Sequence, residues 1–310
     1  MITILGTGQV GKAVLDQLQI VRPESAILLV NRSGKAPFDL PKGTNIVGMD
    51  ATDPGALVDV FQKSDLVFVC MDVPYQNWQT FYPLLSDALV AGLKNTAAKL
   101  IFADNMYSYG NRKGEPLYET LAHTAKTQKG KIRADVIKNF ERNGLQERVA
   151  IVKSSDFIGP RIEKGVFGID FLANVYRNKA VNLPGNIKLP HHFTFIEDFA
   201  KAMVLVAFEP VDFNGVWHVP NAPAISQKDW IDLFRKHTGR PIKYRTIPKI
   251  VVKLVGMFNP FVRELQELSY QFEYPYLVNA QRFIEKFGDI ATPHDQIVQK
   301  TIDWYRETVV

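Results

Sequence analysis

The chain has one cysteine in 310 residues, Cys70, so no internal disulfide can form and no cysteine pair marks a zinc site. Cys70 lies in the apolar run Asp65-Leu-Val-Phe-Val-Cys70-Met71 and reads as a small core residue at a strand end rather than as a nucleophile. A single thiol suits a reducing cytoplasm. No apolar stretch approaches the roughly 20 residues that a membrane-spanning helix needs, which argues against a membrane partner. The opening Met1-Ile-Thr-Ile-Leu-Gly6 lacks a basic region and a cleavage site, so no secretory leader is expected. An excess of one charge is also missing, with 37 Lys and Arg against 32 Asp and Glu. Short basic clusters occur, as at Lys126, Lys129, Lys131 and Arg133. Without a long basic run or a finger, zipper or ribonucleoprotein motif, they argue against a nucleic-acid surface.

What is present is the composition of an ordinary globular protein, 46% hydrophobic and 22% charged. The first half alternates two kinds of segment. Continuous apolar runs at Ile2–Leu5, Ala26–Val30, Ile46–Met49, Leu66–Cys70, Lys99–Ala103 and Val149–Val152 read as strands. Segments with helical spacing lie between them, at Gln9–Leu18, Pro54–Gln62, Trp78–Leu93 and Lys129–Arg142. Strands that do not alternate, separated by amphipathic helices, predict a parallel sheet covered on both faces. The fold class is therefore α/β, a Rossmann-type doubly wound parallel sheet with a smaller C-terminal substrate lobe. Residues 1–158 are expected to form the dinucleotide-binding core, with 194–220 returning to it. Residues 159–193 and 221–310 are expected to form the lobe. After Gly159-Pro160 the sequence predicts only short segments to Pro190, then a helix over Glu197–Phe208, a strand at Val216–Val219, and a helix capped by Ser226 with Asp229. The stretch from Val251 onward reads as helical and rich in aromatics.

Gly6-Thr7-Gly8-Gln9-Val10-Gly11 ends a strand and opens a helix that leads to a second strand. That context turns a weak G-x-G-x-x-G match into a dinucleotide fingerprint. Gly6 permits the tight turn, Gly8 lets the backbone approach a diphosphate, and Gly11 lets helix and sheet pack closely. The helix N-terminus supplies N–H groups to the phosphates. The second strand ends at Asn31-Arg32-Ser33, and Asn31 stands 20 residues beyond Gly11, where an NAD site would carry an acid. Asparagine does not repel a 2′-phosphate, and Arg32 can pair with one, with Lys35 as a second cation. NADP is thus expected in preference to NAD. Asp50, with Ala51 behind it, ends the third strand level with the expected adenine, whereas Asp53 before Pro54 reads as a helix cap.

From here the sequence resembles the extended short-chain dehydrogenase/reductase family, in its NAD(P)-dependent epimerase and dehydratase branch. Met49-Asp-Ala-Thr-Asp-Pro54 is similar to the family's adenine segment, and Tyr107-Ser-Tyr-Gly110 to the end of its Ser-Ser-x-x-Val-Tyr-Gly strand. Ser154-Ser-Asp-Phe-Ile-Gly-Pro160 and Phe195-Ile-Glu-Asp-Phe-Ala200 match two later motifs in order. The resemblance implies chemistry by Tyr-x-x-x-Lys with an upstream Ser or Thr. Here Lys131 matches the lysine, expected to hold the nicotinamide ribose. Thr127 stands in place of the tyrosine, and Asn105 in place of the serine. A threonine hydroxyl is far too weak an acid for the phenol's task, so the chain resembles an atypical subgroup.

Three functions follow. One is an NADP-dependent oxidoreductase acting on a small organic substrate, with Tyr107 or Tyr109 as proton donor and Asn105 orienting the substrate oxygen. The second is a non-catalytic NADP(H)-binding redox sensor, and the third an inactive structural subunit. A homodimer is the assembly the reading allows. The remaining candidates have plainer explanations. His191-His192 is an adjacent pair and so a poor metal site, and none is expected. His218 reads as structural, and His123 as a further acid candidate. Phe258, Phe261, Tyr270, Phe272, Tyr274 and Tyr276 form a lid or simply a core. Arg240, between Gly239 and Pro241, is expected in a surface loop.

Overall fold

The computed structural model describes residues 1–247, 257, 263–264 and 266–309. These form two compact units, residues 1–108, 123–153 and 199–217 in the first, and 109–122, 154–198 and 218–310 in the second.

The first unit opens with β1 (Ile2–Leu5), wholly buried, and α1 (Gln9–Val21), which buries Gly11, Ala13, Val14, Leu15 and Leu18 along one stripe. Then come β2 (Ile27–Asn31), β3 (Thr44–Gly48), α2 (Pro54–Phe61), β4 (Leu66–Val69), α3 (Trp78–Lys94), β5 (Lys99–Asn105), α4 (Gln128–Arg142) and β6 (Val149–Ser154). Asp53 caps α2, accepting from the amides of Gly55 and Ala56 ahead of Pro54, as the turn chemistry predicts. The sheet has seven parallel strands in the order β11-β6-β5-β4-β1-β2-β3, where β11 is Gly215–His218. Register puts Leu5 opposite both Val30 of β2 and Val69 of β4. All carboxyl ends therefore share one edge, and the strand order reverses between β1 and β4. Ligands of open α/β sheets bind at that edge and at that reversal.

Strand and helix types match the apolar patterning. Boundaries shift by one to three residues, and β5 and β6 run two residues further than their apolar cores because Asp104 and Lys153 continue them as buried charges. α1 runs past its last buried residue, Leu18, to Val21; Ile20 and Val21 are exposed, and the Arg22 amide closes the last turn on the Leu18 carbonyl.

The second unit is built from short paired strands. β7 (Asp156–Ile158) pairs with β10 (Phe193–Phe195), β8 (Val181–Pro184) with β13 (Tyr244–Ile247), and β9 (Pro190–His191) with β12 (Ile225–Ser226). Between β7 and β8 lies α5 (Ile169–Tyr176), in a region that the glycines and prolines read as irregular. Its Phe171, Leu172 and Val175 nevertheless join a core with Phe167, Phe193, Trp230 and Phe234, so burial overrides the local breakers. α6 (Ile196–Ala207) follows β10, and α7 (Gln227–Thr238) starts in the Ser226–Asp229 capping box. Of the C-terminal stretch expected to be helical, residues 251–256, 258–262, 265 and 310 lie outside the described residues, and the described remainder is helical only in parts. A 3₁₀ turn at Ser269–Phe272 is followed by extended chain, with Tyr276 bridging His191 and Val278 bridging Leu117, before helices Gln281–Phe287 and His294–Thr308. Phe258 and Phe261 lie outside the described residues. Tyr270 and Tyr276 are buried, and the ring of Phe272 stacks on His191.

Candidate functional site

The glycine loop is shaped by three different constraints. Gly6 has φ +101°, and a Cβ there would lie 2.8 Å from the Cys70 carbonyl oxygen. A Cβ on Gly11 would lie 2.0 Å from the Gly6 carbonyl oxygen, so only glycine lets α1 start this close to β1. At Gly8 the same construction meets nothing within 4 Å. The backbone is thus closed on the protein side of the loop and open above Gly8. No side chain caps α1 and no acid sits in its first turn, so its N-terminal end keeps its positive dipole. These features fit a dinucleotide diphosphate. Thr7 anchors the loop sideways, accepting from Asn31 Nδ2 at 2.7 Å.

Asn31 is the hub of the β2 end. Its Nδ2 also donates to the Lys35 carbonyl at 2.8 Å, and its Oδ1 accepts from the Gly34 amide at 2.8 Å and from Ser33 Oγ at 3.2 Å. The loop 31–35 is therefore folded by the asparagine side chain, with Arg32 and Lys35 exposed on it. Asp50 Oδ1 accepts from the amide and hydroxyl of Thr52 at 2.9 and 2.8 Å. Those two bonds, with help from the Arg32 charge, hold its carboxyl below the usual range. Ala51 is buried beneath it. Gln9 and Val10 form the first residues of α1.

Across the reversal, the ends of β4 and β5 meet the start of α4. Thr127 is the N-cap of α4, its Oγ1 accepting from the Gly130 amide at 3.2 Å. A Cβ on Gly130 would lie 2.5 Å from the Tyr107 carbonyl oxygen, so the first turn of α4 rests directly on Tyr107. Lys131 is exposed, whereas Lys129, two residues earlier, is buried with its Nζ 5.1 Å from the centre of the Tyr75 ring. The phenol oxygens of Tyr75 and Tyr107 are 3.0 Å apart. Asn105 Oδ1 accepts from the Tyr107 amide at 3.0 Å and turns the chain after β5. Behind these groups lies a buried ionic cluster, in which Asp104 accepts from both Arg133 and Lys153. Burial opposes the Asp104 carboxylate, but the two cations outweigh it and its pKa falls. Lys153 Nζ also donates to the Asn105 carbonyl and to Ser108 Oγ, each at 3.0 Å. Ser108 in turn lies 3.0 Å from His123 Nδ1. Burial, aided by the Lys153 charge, lowers His123 to about 4, so near neutral pH it offers a neutral imidazole.

Tyr109, in the second unit, is buried and donates to His218 Nε2 at 2.8 Å, while His218 Nδ1 donates to the Asn279 carbonyl at 2.8 Å. His191 Nε2 faces Asp156 at 2.9 Å and His192 Nδ1 accepts from the Val278 amide at 2.8 Å, so the adjacent pair serves two separate contacts. Arg240 stacks over Tyr176. Cys70 is buried, and burial pushes its thiol up, away from reactivity. Among the described residues no group of three His, Cys, Asp or Glu side chains is arranged to hold a metal, and no helix is long and apolar enough to cross a membrane.

The model of the NAD dependent epimerase/dehydratase family matches residues 2–217. The chain belongs to that family. Among curated proteins none matches it. Solved structures share its fold at low identity. WbmH of Bordetella bronchiseptica, in complex with NAD+, is 16% identical with a TM-score of 0.76, covering 100% of this chain and 99% of its own. The dTDP-glucose 4,6-dehydratase of Bacillus anthracis, in complex with NAD, is 14% identical with a TM-score of 0.80, covering 99% and 96%. The UDP-glucuronic acid 4-epimerase of Bacillus cereus, in complex with NAD, is 14% identical with a TM-score of 0.78, covering 100% and 99%. The glycine loop, Asn105 and Thr127 all lie within the matched residues. Sequence reasoning missed Tyr75, Lys129, Asp104 and Lys153. A charge directly after each of two apolar strand runs was a usable signal for Asp104 and Lys153. Tyr75 carried none.

Proposed function

We propose that this family member is an NADP-dependent oxidoreductase acting on a small organic substrate, with its proton supplied by a phenol rather than by Thr127. The observation that carries the cofactor preference is the β2 end. The position of the usual ribose acid is filled by Asn31, whose four hydrogen bonds fold a loop that presents Arg32, Ser33 and Lys35 on one short segment. A dianionic 2′-phosphate suits those groups, and a bidentate guanidinium contact is the strongest they offer. The bound dinucleotide supplies the hydride, and the protein contributes the proton and the orientation of the substrate. Gly6, Thr7, Gly8, Gln9, Val10 and Gly11 would hold the diphosphate, Asp50 and Ala51 the adenine side, and Lys131 the nicotinamide ribose. Thr127 already accepts from the Gly130 amide as a cap, which supports a donor elsewhere. Tyr107, beside Asn105, and Tyr75, whose phenol oxygen lies 3.0 Å from that of Tyr107, are the phenols at this end of the first unit.

Calorimetric titration with NADPH and NADH tests the reading. NADPH is expected to bind more tightly, and Arg32→Ala to weaken NADPH about 10- to 100-fold, the worth of a charge-assisted bond, with little effect on NADH. Equal losses for both nucleotides refute the 2′-phosphate assignment. Steady oxidation of NADPH by ketones or enones separates an enzyme from a redox sensor.

A further inference from the structure

We propose that Tyr75, backed by Tyr107 and by the buried ammonium of Lys129, is the phenol that gives its proton to the substrate oxygen; this rests on the nucleotide reading above.

The placement follows from topology. A dinucleotide crosses the strand reversal between β1 and β4, with its adenosine half on the β2–β3 side, where Arg32 and Asp50 lie. Its other half then falls on the β4–β5 side. Tyr75 stands in the turn after β4, Tyr107 in the turn after β5, and Lys129 in the first turn of α4. Three separate elements thus converge on one phenol pair at the nicotinamide side. Of the two phenols, Tyr75 is the partly exposed one and Tyr107 the buried one, so Tyr75 is the one a substrate reaches. The Tyr75 ring is held edge-on against Trp78 at 5.0 Å, and Trp78 stacks on Tyr107 at 6.1 Å, so neither phenol swings freely. Trp78 in turn lies under Arg133, which is fixed to Asp104.

The chemistry needs a group that gives up a proton and tolerates the charge left behind. Lys129 lies over the Tyr75 ring and opposes that charge from a buried position. Tyr107, 3.0 Å away, can donate its hydroxyl proton to the Tyr75 oxygen once Tyr75 has lost its own. With a carbonyl substrate the balance is simple. A bound reduced pyridine nucleotide would supply the hydride to the carbon and be oxidised in doing so. The carbonyl π pair moves to oxygen, and that oxygen takes the Tyr75 proton, which water then restores. In the family pattern a lysine and a tyrosine sit four residues apart on one helix. Here Lys131 keeps that lysine's position, the first turn of α4 adds a second lysine at position 129, and another loop supplies the phenol.

The test uses tetranitromethane on the whole protein, with nitration at each tyrosine followed by peptide mass spectrometry, since the reagent attacks the phenolate. Lys129→Met should slow nitration of Tyr75 about tenfold, the effect of removing one close opposite charge, whereas Lys129→Arg should keep it near the wild-type rate. Saturating NADPH should shield Tyr75. With any ketone or enone that the wild type reduces, Tyr75→Phe should lower kcat about a hundredfold or more, the usual worth of a general acid, while leaving the NADPH Kd unchanged. An unaltered Tyr75 nitration rate in Lys129→Met overturns the proposal, as does NADPH that binds by calorimetry but does not shield Tyr75. If calorimetry detects no NADPH binding, the nucleotide reading has failed first and this proposal falls with it.

Discussion

The openness above Gly8 gives a substitution that should separate binding from folding. Gly8 has φ −76° and ψ −165°, extended backbone that alanine adopts, and its new Cβ meets nothing within 4 Å. Alanine is a slightly poorer N-cap than glycine but restricts the unfolded chain, so Gly8→Ala should change stability by no more than about 1 kcal/mol. The methyl nevertheless fills the space into which a diphosphate must descend. Losing one or two charge-assisted bonds from the loop amides costs about 1.5–3 kcal/mol, or about 10- to 150-fold in Kd. Gly11→Ala is the contrasting case. Its Cβ would lie 2.0 Å from the Gly6 oxygen and 2.9 Å from the Gly6 carbonyl carbon, both backbone atoms that cannot rotate away. Separating α1 from β1 places the cost near the top of the overpacking range, about 3 kcal/mol. NADPH fluorescence titration gives the Kd, and urea unfolding followed by circular dichroism gives stability. Gly8→Ala should lose affinity with its fold intact, and Gly11→Ala should lose both. A folded Gly8→Ala that binds NADPH within about threefold of wild type would mean that no diphosphate rests over Gly8.

Two further outcomes follow from buried charge. Asp104→Asn leaves Arg133 and Lys153 buried without their shared carboxylate, and should destabilise the protein by about 3–5 kcal/mol in urea titrations; a loss under about 1 kcal/mol would show that the cluster is hydrated. Stability should also fall as the solution is acidified. His123 and His192 drop from 6.5 to about 4 in the folded protein, chiefly through burial. The unfolded chain then binds protons that the folded one refuses, so stability present above pH 6.5 is lost as pH falls toward 4. His123→Gln should make that decline shallower, and an identical slope would exclude His123 as a contributor.

The sequence by itself determined the layered α/β architecture, because uninterrupted apolar strands and amphipathic helices can bury their surfaces in few other ways. It also determined the glycine loop, whose requirements are local: one turn, one open approach, one close contact. The cap at Asp53, the Ser226–Asp229 box and the missing acid at Asn31 were legible for the same reason, since each depends on residues within a few positions of one another. The helix Ile169–Tyr176 was hidden because nearby glycines masked an apolar face that only the tertiary core rewards. Only the folded chain decided which side chains meet at the ends of β4, β5 and β6. Tyr75 and Tyr107 are 32 residues apart, and Asp104 and Lys153 are 49 apart. Parallel strands joined by helices bring such distant carboxyl ends to one edge, and no local pattern records which side chains will meet there.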